Sequence, residues 1–181
     1  MGAQAILRKL SVEDYLADPS FERFEWVDGV AVETGVGNKK HSRVQVLCVR
    51  YLDRFLAERD DMWLATVLRC RLIVEGAERY RQPDLAVVAG KPSDGDPRFL
   101  EGAPLLAIEI RSPDDTVAEL LRKTDEYLGN GCKMAWLILP DEESVLVRTS
   151  SGDVKSLLGH DLLGGAEVLP GFTIEVSKLF A

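Results

Sequence analysis

Two acidic residues lie in or beside apolar segments that have the length of β-strands. Asp84 follows Pro83 and opens residues 84–89, and Glu109 lies inside residues 105–110. A carboxylate in a buried strand is costly unless a partner compensates it. If the two strands are neighbours, their carboxylates repel each other, and a divalent cation relieves that repulsion. Because hard oxygen ligands suit Mg²⁺ or Mn²⁺, the pair indicates a metal site.

The same two acids also have structural interpretations, which the sequence leaves open. Asp84, directly after a proline, is typical of a turn or cap carboxylate before a strand. Glu109 could form a salt bridge at its strand end with Arg111 or Arg122. Strand alternation places the Glu109 side chain on the same face as that of Ala107.

A lysine lies on the helix that is predicted after Glu109. Lys123 stands in the run Arg122-Lys123-Thr124-Asp125-Glu126-Tyr127 and could point at the sheet. A lysine beside two carboxylates and a bound metal can orient an attacking water or stabilise the charge of a phosphoryl transition state. A lone helix lysine is more often solvated, so Lys123 gains its functional interpretation only from the two acids.

His41 stands at the start of the predicted long helix, near a predicted hairpin. A histidine there could contact substrate or tune a carboxylate, because its ordinary pKa lies close to neutrality. A capping or surface histidine is the alternative interpretation.

Periodic and alternating patterns predict the elements of the first half of the chain. Ser11 is a predicted N-cap for a first helix, with Asp14 three residues on. The turn Asp28-Gly29 joins two strands, residues 24–27 and 30–34, in a hairpin. A helix over residues 40–59 is predicted from apolar residues at three- and four-residue intervals, which are Val44, Leu47, Cys48, Tyr51, Leu52 and Phe55.

The second half is predicted to consist of strands and one further long helix. That helix covers residues 116–128 and ends at Gly129-Asn130-Gly131. We expect a loop over residues 159–165 and a short helix at the end of the chain. Strands are expected within residues 63–74, where there is room for one or two, and at residues 84–89, 105–110, 134–139, 144–149 and 172–176.

This order of elements predicts an α/β fold with a mixed central β-sheet flanked by helices. A length of 181 residues suits one core, so we expect a single domain over residues 1–181. A Rossmann fold is less expected, since no glycine-rich phosphate loop joins a strand to a helix.

Composition limits the classes of protein to which the chain can belong. The net charge of −8 argues against tight, non-specific DNA binding by a monomer, although carboxylates that await a metal contribute to it. No apolar run approaches the ~20 residues of a membrane span, and a signal-peptide pattern is lacking. Cys48, Cys70 and Cys132 are odd in number and far apart, which predicts buried reduced thiols and a cytoplasmic location.

Taken in order, several segments resemble the Uma2 family (DUF820), restriction-endonuclease-like proteins of the PD-(D/E)XK nuclease superfamily. The resemblance covers roughly residues 8–178. No single motif is specific to the family, but the order of the motifs is. They are Ser11-Val12-Glu13-Asp14-Tyr15-Leu16, Phe24-Glu25-Trp26-Val27-Asp28-Gly29, His41, Gln82-Pro83-Asp84, Ile108-Glu109-Ile110-Arg111-Ser112-Pro113, and the segments 123–127 and 131–140.

The resemblance implies a restriction-endonuclease-like core and a metal-dependent phosphodiesterase site. Asp84 and Glu109 would bind Mg²⁺ or Mn²⁺ with help from the backbone carbonyl of Ile110, and Glu25 would add an acidic group from the hairpin. The superfamily lysine lies two residues after the glutamate, where this chain has Arg111. Arginine stays protonated and cannot act as a base, although it could hold a phosphate. In the family the lysine role is moved to the helix, so the resemblance implies that Lys123 takes it.

These observations predict a magnesium-dependent endonuclease that hydrolyses DNA, with Asp84, Glu109, Lys123 and Glu25 as catalytic residues and His41 and Arg111 as substrate contacts. A homodimer is expected because cutting both strands of a duplex usually needs two sites. One alternative is a catalytically inactive, nuclease-derived module that binds nucleic acid or protein. Another is a structural α/β protein whose acids merely pair with arginines.

Overall fold

The computed structural model describes residues 7–35 and 37–181. Two of its helices are long and make most of the helical packing contacts. The remaining helix and the two 3-10 turns are short. The helices are α1 (Val12–Ala17), α2 (Lys39–Leu56) and α3 (Val117–Gly129), with the 3-10 turns at Pro19–Phe21 and Val176–Leu179.

The first β-sheet has six strands and contains the predicted hairpin. Its neighbours are antiparallel except for the last pair, which is parallel. In spatial order the strands are β1 (Leu7–Lys9), β3 (Val30–Glu33), β2 (Phe24–Val27), β6 (Ala77–Arg81), β5 (Cys70–Val74) and β8 (Leu100–Glu101).

The second β-sheet also has six strands and is mixed, because β9 and β10 run parallel while the other neighbours are antiparallel. In spatial order the strands are β12 (Val154–Leu158), β11 (Ser144–Thr149), β10 (Met134–Leu139), β9 (Leu106–Ile110), β7 (Leu85–Ala89) and β4 (Met62–Thr66). A separate hairpin joins β13 (Leu162–Gly165) to β14 (Leu169–Glu175).

Strands β9 and β10 are buried along their whole length because both faces of the second sheet are covered. On one face Ile108 and Trp136 pack with the apolar stripe of α2 and with the β13–β14 hairpin. On the other face Leu137 packs with Leu120 of α3. Ala107 lies on that second face too, with Tyr127 and with residues of β5. A central sheet covered on both sides explains why these strands read as unbroken apolar runs.

Both long helices begin at side-chain caps. The Asn38 side chain accepts a hydrogen bond from the backbone N–H of His41 at the start of α2. Thr116 and Glu119 form a capping box at the start of α3. Each cap satisfies backbone donors that the first helical turn leaves without a partner.

The fold confirms the predicted mixed sheet flanked by helices, and most predicted elements lie where they were expected. Residues 63–74 form two strands, and these belong to different sheets. The cap at Ser11 is present. The three cysteines are buried and unpaired. Within the described residues, no helix combines the length and the apolar character that a membrane crossing requires.

The predicted loop over residues 159–165 is wrong in its second part, which forms strand β13. Two glycines in a four-residue strand hide the apolar alternation, and pairing with β14 supplies the order instead. The last strand begins at Leu169 rather than at residue 172, and α2 ends at Leu56 rather than at residue 59. Four further strands, β1, β6, β8 and β12, were not expected from the sequence.

Candidate active site

Asp84 and Glu109 are brought together by the antiparallel pairing of β7 with β9. Leu85 pairs with Ile108, and extending that register by one residue puts Asp84 opposite Glu109. The backbone N–H of Ile110 donates a 2.7 Å hydrogen bond to Oδ2 of Asp84. The prediction that the two acidic segments are neighbours is therefore confirmed, and a hydrogen bond connects Asp84 to the end of β9.

Glu109 is buried and its side chain faces α3. Lys123 Nζ lies 3.0 Å from Oε2 of Glu109, and the Tyr127 hydroxyl donates a 2.8 Å hydrogen bond to Oε1. Lys123 and Tyr127 share one face of α3 because they are four residues apart. Glu109 does form a salt bridge, but its partner is Lys123 rather than Arg111 or Arg122, and Arg111 pairs with Glu142.

Glu25 of β2 reaches the same lysine from the first sheet. Its Oε1 lies 2.9 Å from Lys123 Nζ and also accepts the backbone N–H of Gln82. Its Oε2 accepts a 2.7 Å hydrogen bond from Arg81. Lys123 therefore bridges two buried carboxylates, one from each sheet, at the junction where the sheets and α3 meet.

The charges around Lys123 hold the pKa values of its two partners apart. Burial raises the pKa of Glu109 to about 7, opposed by the charge of Lys123 and reinforced by the charges of Asp84 and Glu25. Burial also acts to raise the pKa of Glu25, but Lys123, Arg81 and the Gln82 amide outweigh it and lower that pKa to about 2. Of the two acids, Glu109 is therefore the one whose negative charge is less fully compensated by neighbouring cations.

Lys123 itself stays protonated. Burial acts to lower its pKa, but the charges of Glu109 and Glu25 outweigh burial and raise the pKa above its usual range. Burial, together with the charge of Glu109, raises the pKa of Tyr127, so its hydroxyl remains a donor. A permanently charged lysine can orient a water molecule or a phosphate oxygen but cannot remove a proton.

His41 contacts the other side of Asp84. Its Nε2 lies 3.2 Å from Oδ1 of Asp84, and the side chain is buried at the start of α2. Burial acts to lower the pKa of His41, but the hydrogen bond and the charge of Asp84 outweigh it and raise the pKa. Gln45, one helical turn further along α2, donates to the backbone carbonyl of Asp84.

The donor set fits a hard divalent cation only in part. Among the described residues, no group of three or more histidine, cysteine, aspartate or glutamate side chains converges as a metal centre. Mg²⁺ nevertheless often takes only one or two carboxylates and completes its shell with water and substrate phosphates. Burial is the largest cause of the raised pKa of Glu109, and the charge of Asp84 adds to it. Asp84 and Glu109 therefore fit a two-carboxylate site.

Several residues of the site were not assigned a role from the sequence. Tyr127 had a signal, because its four-residue spacing from Lys123 places both on one helix face. Arg81 had none, since it lies on β6, which the pattern did not predict. Arg81 pairs with Glu126 as well as with Glu25, and Arg79 pairs with Glu126. A continuous network of buried and half-buried ion pairs therefore connects Arg79, Glu126, Arg81 and Glu25 to Lys123.

Comparison with known proteins places the chain in a family. The Uma2 family model, described as "Putative restriction endonuclease", matches residues 12–177. The crystal structure of "a putative nuclease belonging to DUF820" from Anabaena variabilis ATCC 29413 has a TM-score of 0.82 to this chain. It is 22% identical in sequence and the match covers 94% of this chain and 97% of the other. At that identity the likeness shows a shared fold. A comparison with curated proteins gave no match.

Proposed function

Because the chain belongs to the Uma2 family of restriction-endonuclease-like proteins, we propose that it is a metal-dependent endonuclease that hydrolyses DNA phosphodiester bonds. The observation that carries the proposal is the grouping of Lys123 with Glu109 and Glu25 beside Asp84. These four side chains come from both sheets and from α3. An arrangement that buries two carboxylates against one lysine, with a third carboxylate beside them, is expensive to build unless the site has a chemical task.

Each side chain has a distinct part in the proposed reaction. Asp84 and Glu109 would hold Mg²⁺ or Mn²⁺, with the Ile110 carbonyl as a further predicted ligand. The bound cation would supply Lewis-acid activation of the phosphate and of a water molecule. Two carboxylates use two of the three N–H donors of Lys123, so the third is left to orient water or a phosphate oxygen. Glu25 keeps the lysine charged and directed at the site.

His41 and the N–H of Ile110 position Asp84 in this proposal. One contacts Oδ1 and the other donates to Oδ2, so the carboxylate cannot rotate freely. Holding a reacting group in place removes an entropic part of the barrier. We assign His41 this positioning role and keep a direct contact with substrate as a second possibility.

Cleavage of plasmid and single-stranded DNA with Mg²⁺ or Mn²⁺ tests the proposal. Wild type is expected to cut, and Asp84→Ala is expected to lower the rate at least about a hundredfold. The matched control is Asp60→Ala, which removes an exposed acid outside the site. Absence of cleavage by wild type, or equal cleavage by Asp84→Ala, overturns the assignment.

A second candidate function is a nuclease-derived binding module without catalysis. Both oxygens of Glu109 already have partners in Lys123 and Tyr127, and Arg111 replaces the superfamily lysine. Calorimetric titration with Mn²⁺ separates the two candidates. A module of this kind shows no metal binding that depends on Asp84 and Glu109, whereas the nuclease does.

We also propose that the protein works in the cytoplasm as a homodimer. The cytoplasmic location is supported by three buried, unpaired cysteines, which suit a reducing compartment. The homodimer is supported by the chemistry, since cutting both strands of a duplex usually needs two sites. Light scattering on the purified protein measures the oligomeric state, and a monomer at working concentration contradicts this part of the proposal.

A further inference from the structure

Two basic residues flank the candidate active site in the chain. Lys40 directly precedes His41, whose ring contacts Asp84. Arg111 directly follows Ile110, whose N–H binds the same carboxylate. They come from different elements, α2 and the end of β9. Each cation is therefore one residue away from a group that binds Asp84.

Both cations are bound by one acidic turn. The turn, residues 140–143, connects β10 to β11, and we call it the acidic turn. Asp141 lies 2.7 Å from Lys40 Nζ, and Glu142 lies 2.7 Å from Arg111 Nη1. The hydrogen bond and charge of Asp141, followed by Glu143 and Glu142, raise the pKa of Lys40. All three acids of the turn therefore act on Lys40.

The acidic turn is held in a fixed place although its side chains are exposed. Leu139 pairs with Ser144, so only four residues connect two strands of the central sheet. Glu143 adopts a left-handed backbone conformation with φ 47°, which closes the turn. The carboxylates therefore lie beside Lys40 and Arg111 because the pairing of β10 with β11 fixes the position of the turn.

We propose that Lys40 and Arg111 form a binding surface for the phosphodiester backbone of duplex DNA, and that the acidic turn occupies this surface with its carboxylates until phosphates displace them. The identity of the ligand rests on the proposed function. Arginine binds carboxylates and phosphates through the same planar donors. The Lys40 pair is exposed and the Arg111 pair is partly exposed, with 62% and 27% of the basic side chains accessible. Exposed pairs contribute little and are screened by salt, so they can exchange partners.

Displacement of the carboxylates by phosphates explains how a protein with a negative net charge can present a basic surface to DNA. The net charge is −8, and the two cations are paired in the free protein. A phosphate that reaches Lys40 and Arg111 meets cations whose carboxylate partners are weakly bound. The acidic turn then acts as a competitor, which lowers affinity for any DNA that does not also engage the site itself.

Fluorescence anisotropy with a labelled DNA duplex, at low salt and with EDTA to prevent cleavage, tests the proposal. Asp141→Asn combined with Glu142→Gln is expected to tighten binding roughly threefold to tenfold, because two competing pairs are removed. The matched control, Asp60→Asn combined with Asp61→Asn, changes the net charge equally beside β4, where Asp61 contacts the end of β7 remote from Asp84. It is expected to change affinity by less than about twofold.

Removing the two cations is the complementary experiment in the same binding assay. Lys40→Gln combined with Arg111→Gln is expected to weaken binding and to lower the slope of log K against log salt by about 2. In that background the substitutions in the acidic turn should no longer tighten binding, since their effect acts through the two cations. Thermal unfolding of each variant verifies that it is folded.

Three results overturn the proposal. They are equal tightening by the turn and control variants, tightening that persists without the two cations, and lack of measurable DNA binding in every variant. Cleavage is not read in this assay. Selective tightening without any nuclease activity therefore keeps the binding surface and removes the proposed function, whereas cleavage with unselective binding does the reverse.

Discussion

At the scale of single residues, the site rests on two glutamates that share one lysine and yet titrate in opposite directions. Glu25 has two cationic neighbours and a backbone donor, so its pKa falls to about 2. Glu109 has one cation and two acidic neighbours, and burial raises its pKa to about 7. Environments that separate two carboxylates in this way are typical of sites that assign them different tasks.

The raised pKa of Glu109 predicts a pH-dependent loss of stability in the metal-free protein. An unfolded glutamate releases its proton near its ordinary value of 4.5, whereas folded Glu109 holds it to about 7. Its contribution is therefore fully present below pH about 4.5 and is lost as the pH rises through about 7. Urea unfolding from pH 5 to 8 measures this, with Glu109→Gln as the comparison. An unchanged difference between the two proteins across that range contradicts the prediction.

At the scale of elements, regular patterns could be predicted from the sequence and long-range charge pairing could not. Strands β7, β9 and β10 and helices α2 and α3 have apolar runs or stripes that their burial requires. Strand β6 reads Ala-Glu-Arg-Tyr-Arg, which resembles a solvated loop because three of its five residues are charged. Its arginines are tolerated in the structure only because Glu25, Glu126 and Asp28 pair with them. Those partners come from distant segments, so no local pattern reveals them.

The charge chain on β6 predicts a large cost for removing Arg81. Arg81→Met leaves Glu25 and Glu126 buried without their shared cation, which is expected to cost about 3 to 5 kcal/mol of unfolding free energy. Arg98→Met is the matched control, because it breaks an exposed pair with Asp96 and should cost less than about 1 kcal/mol. Denaturant unfolding measures both. Similar losses of unfolding free energy in the two variants would show that the ion pairs of β6 add no stability.

At the scale of the whole molecule, the site exists only where three layers meet. The first sheet supplies Glu25, the second supplies Asp84 and Glu109, and α3 supplies Lys123. The four residues could be selected from the sequence by motif order, but their contacts depend on the packing of the two sheets. The first sheet as a unit was not expected, and neither was the pairing of Lys40 and Arg111 with the acidic turn.

Because the site joins these layers, a bound cation should stabilise the whole domain. At ten times its Kd, Mg²⁺ is expected to add about 1.4 kcal/mol of unfolding free energy at pH 8. For a chain of this size that raises Tm by about 3 to 6 °C. Differential scanning calorimetry with and without Mg²⁺ measures the shift, and Asp84→Ala should abolish it. A shift of equal size in that variant means that the metal binds elsewhere.

The most direct test of the metal site is a crystal soaked with Mn²⁺ and read by anomalous scattering. Asp84 and Glu109 lie opposite each other across β7 and β9, so we predict an anomalous peak between their carboxylates. The peak should be missing from crystals of Asp84→Ala soaked in the same way. A fully soaked wild-type crystal that shows no peak there, with Glu109 still bound only to Lys123 and Tyr127, contradicts the account.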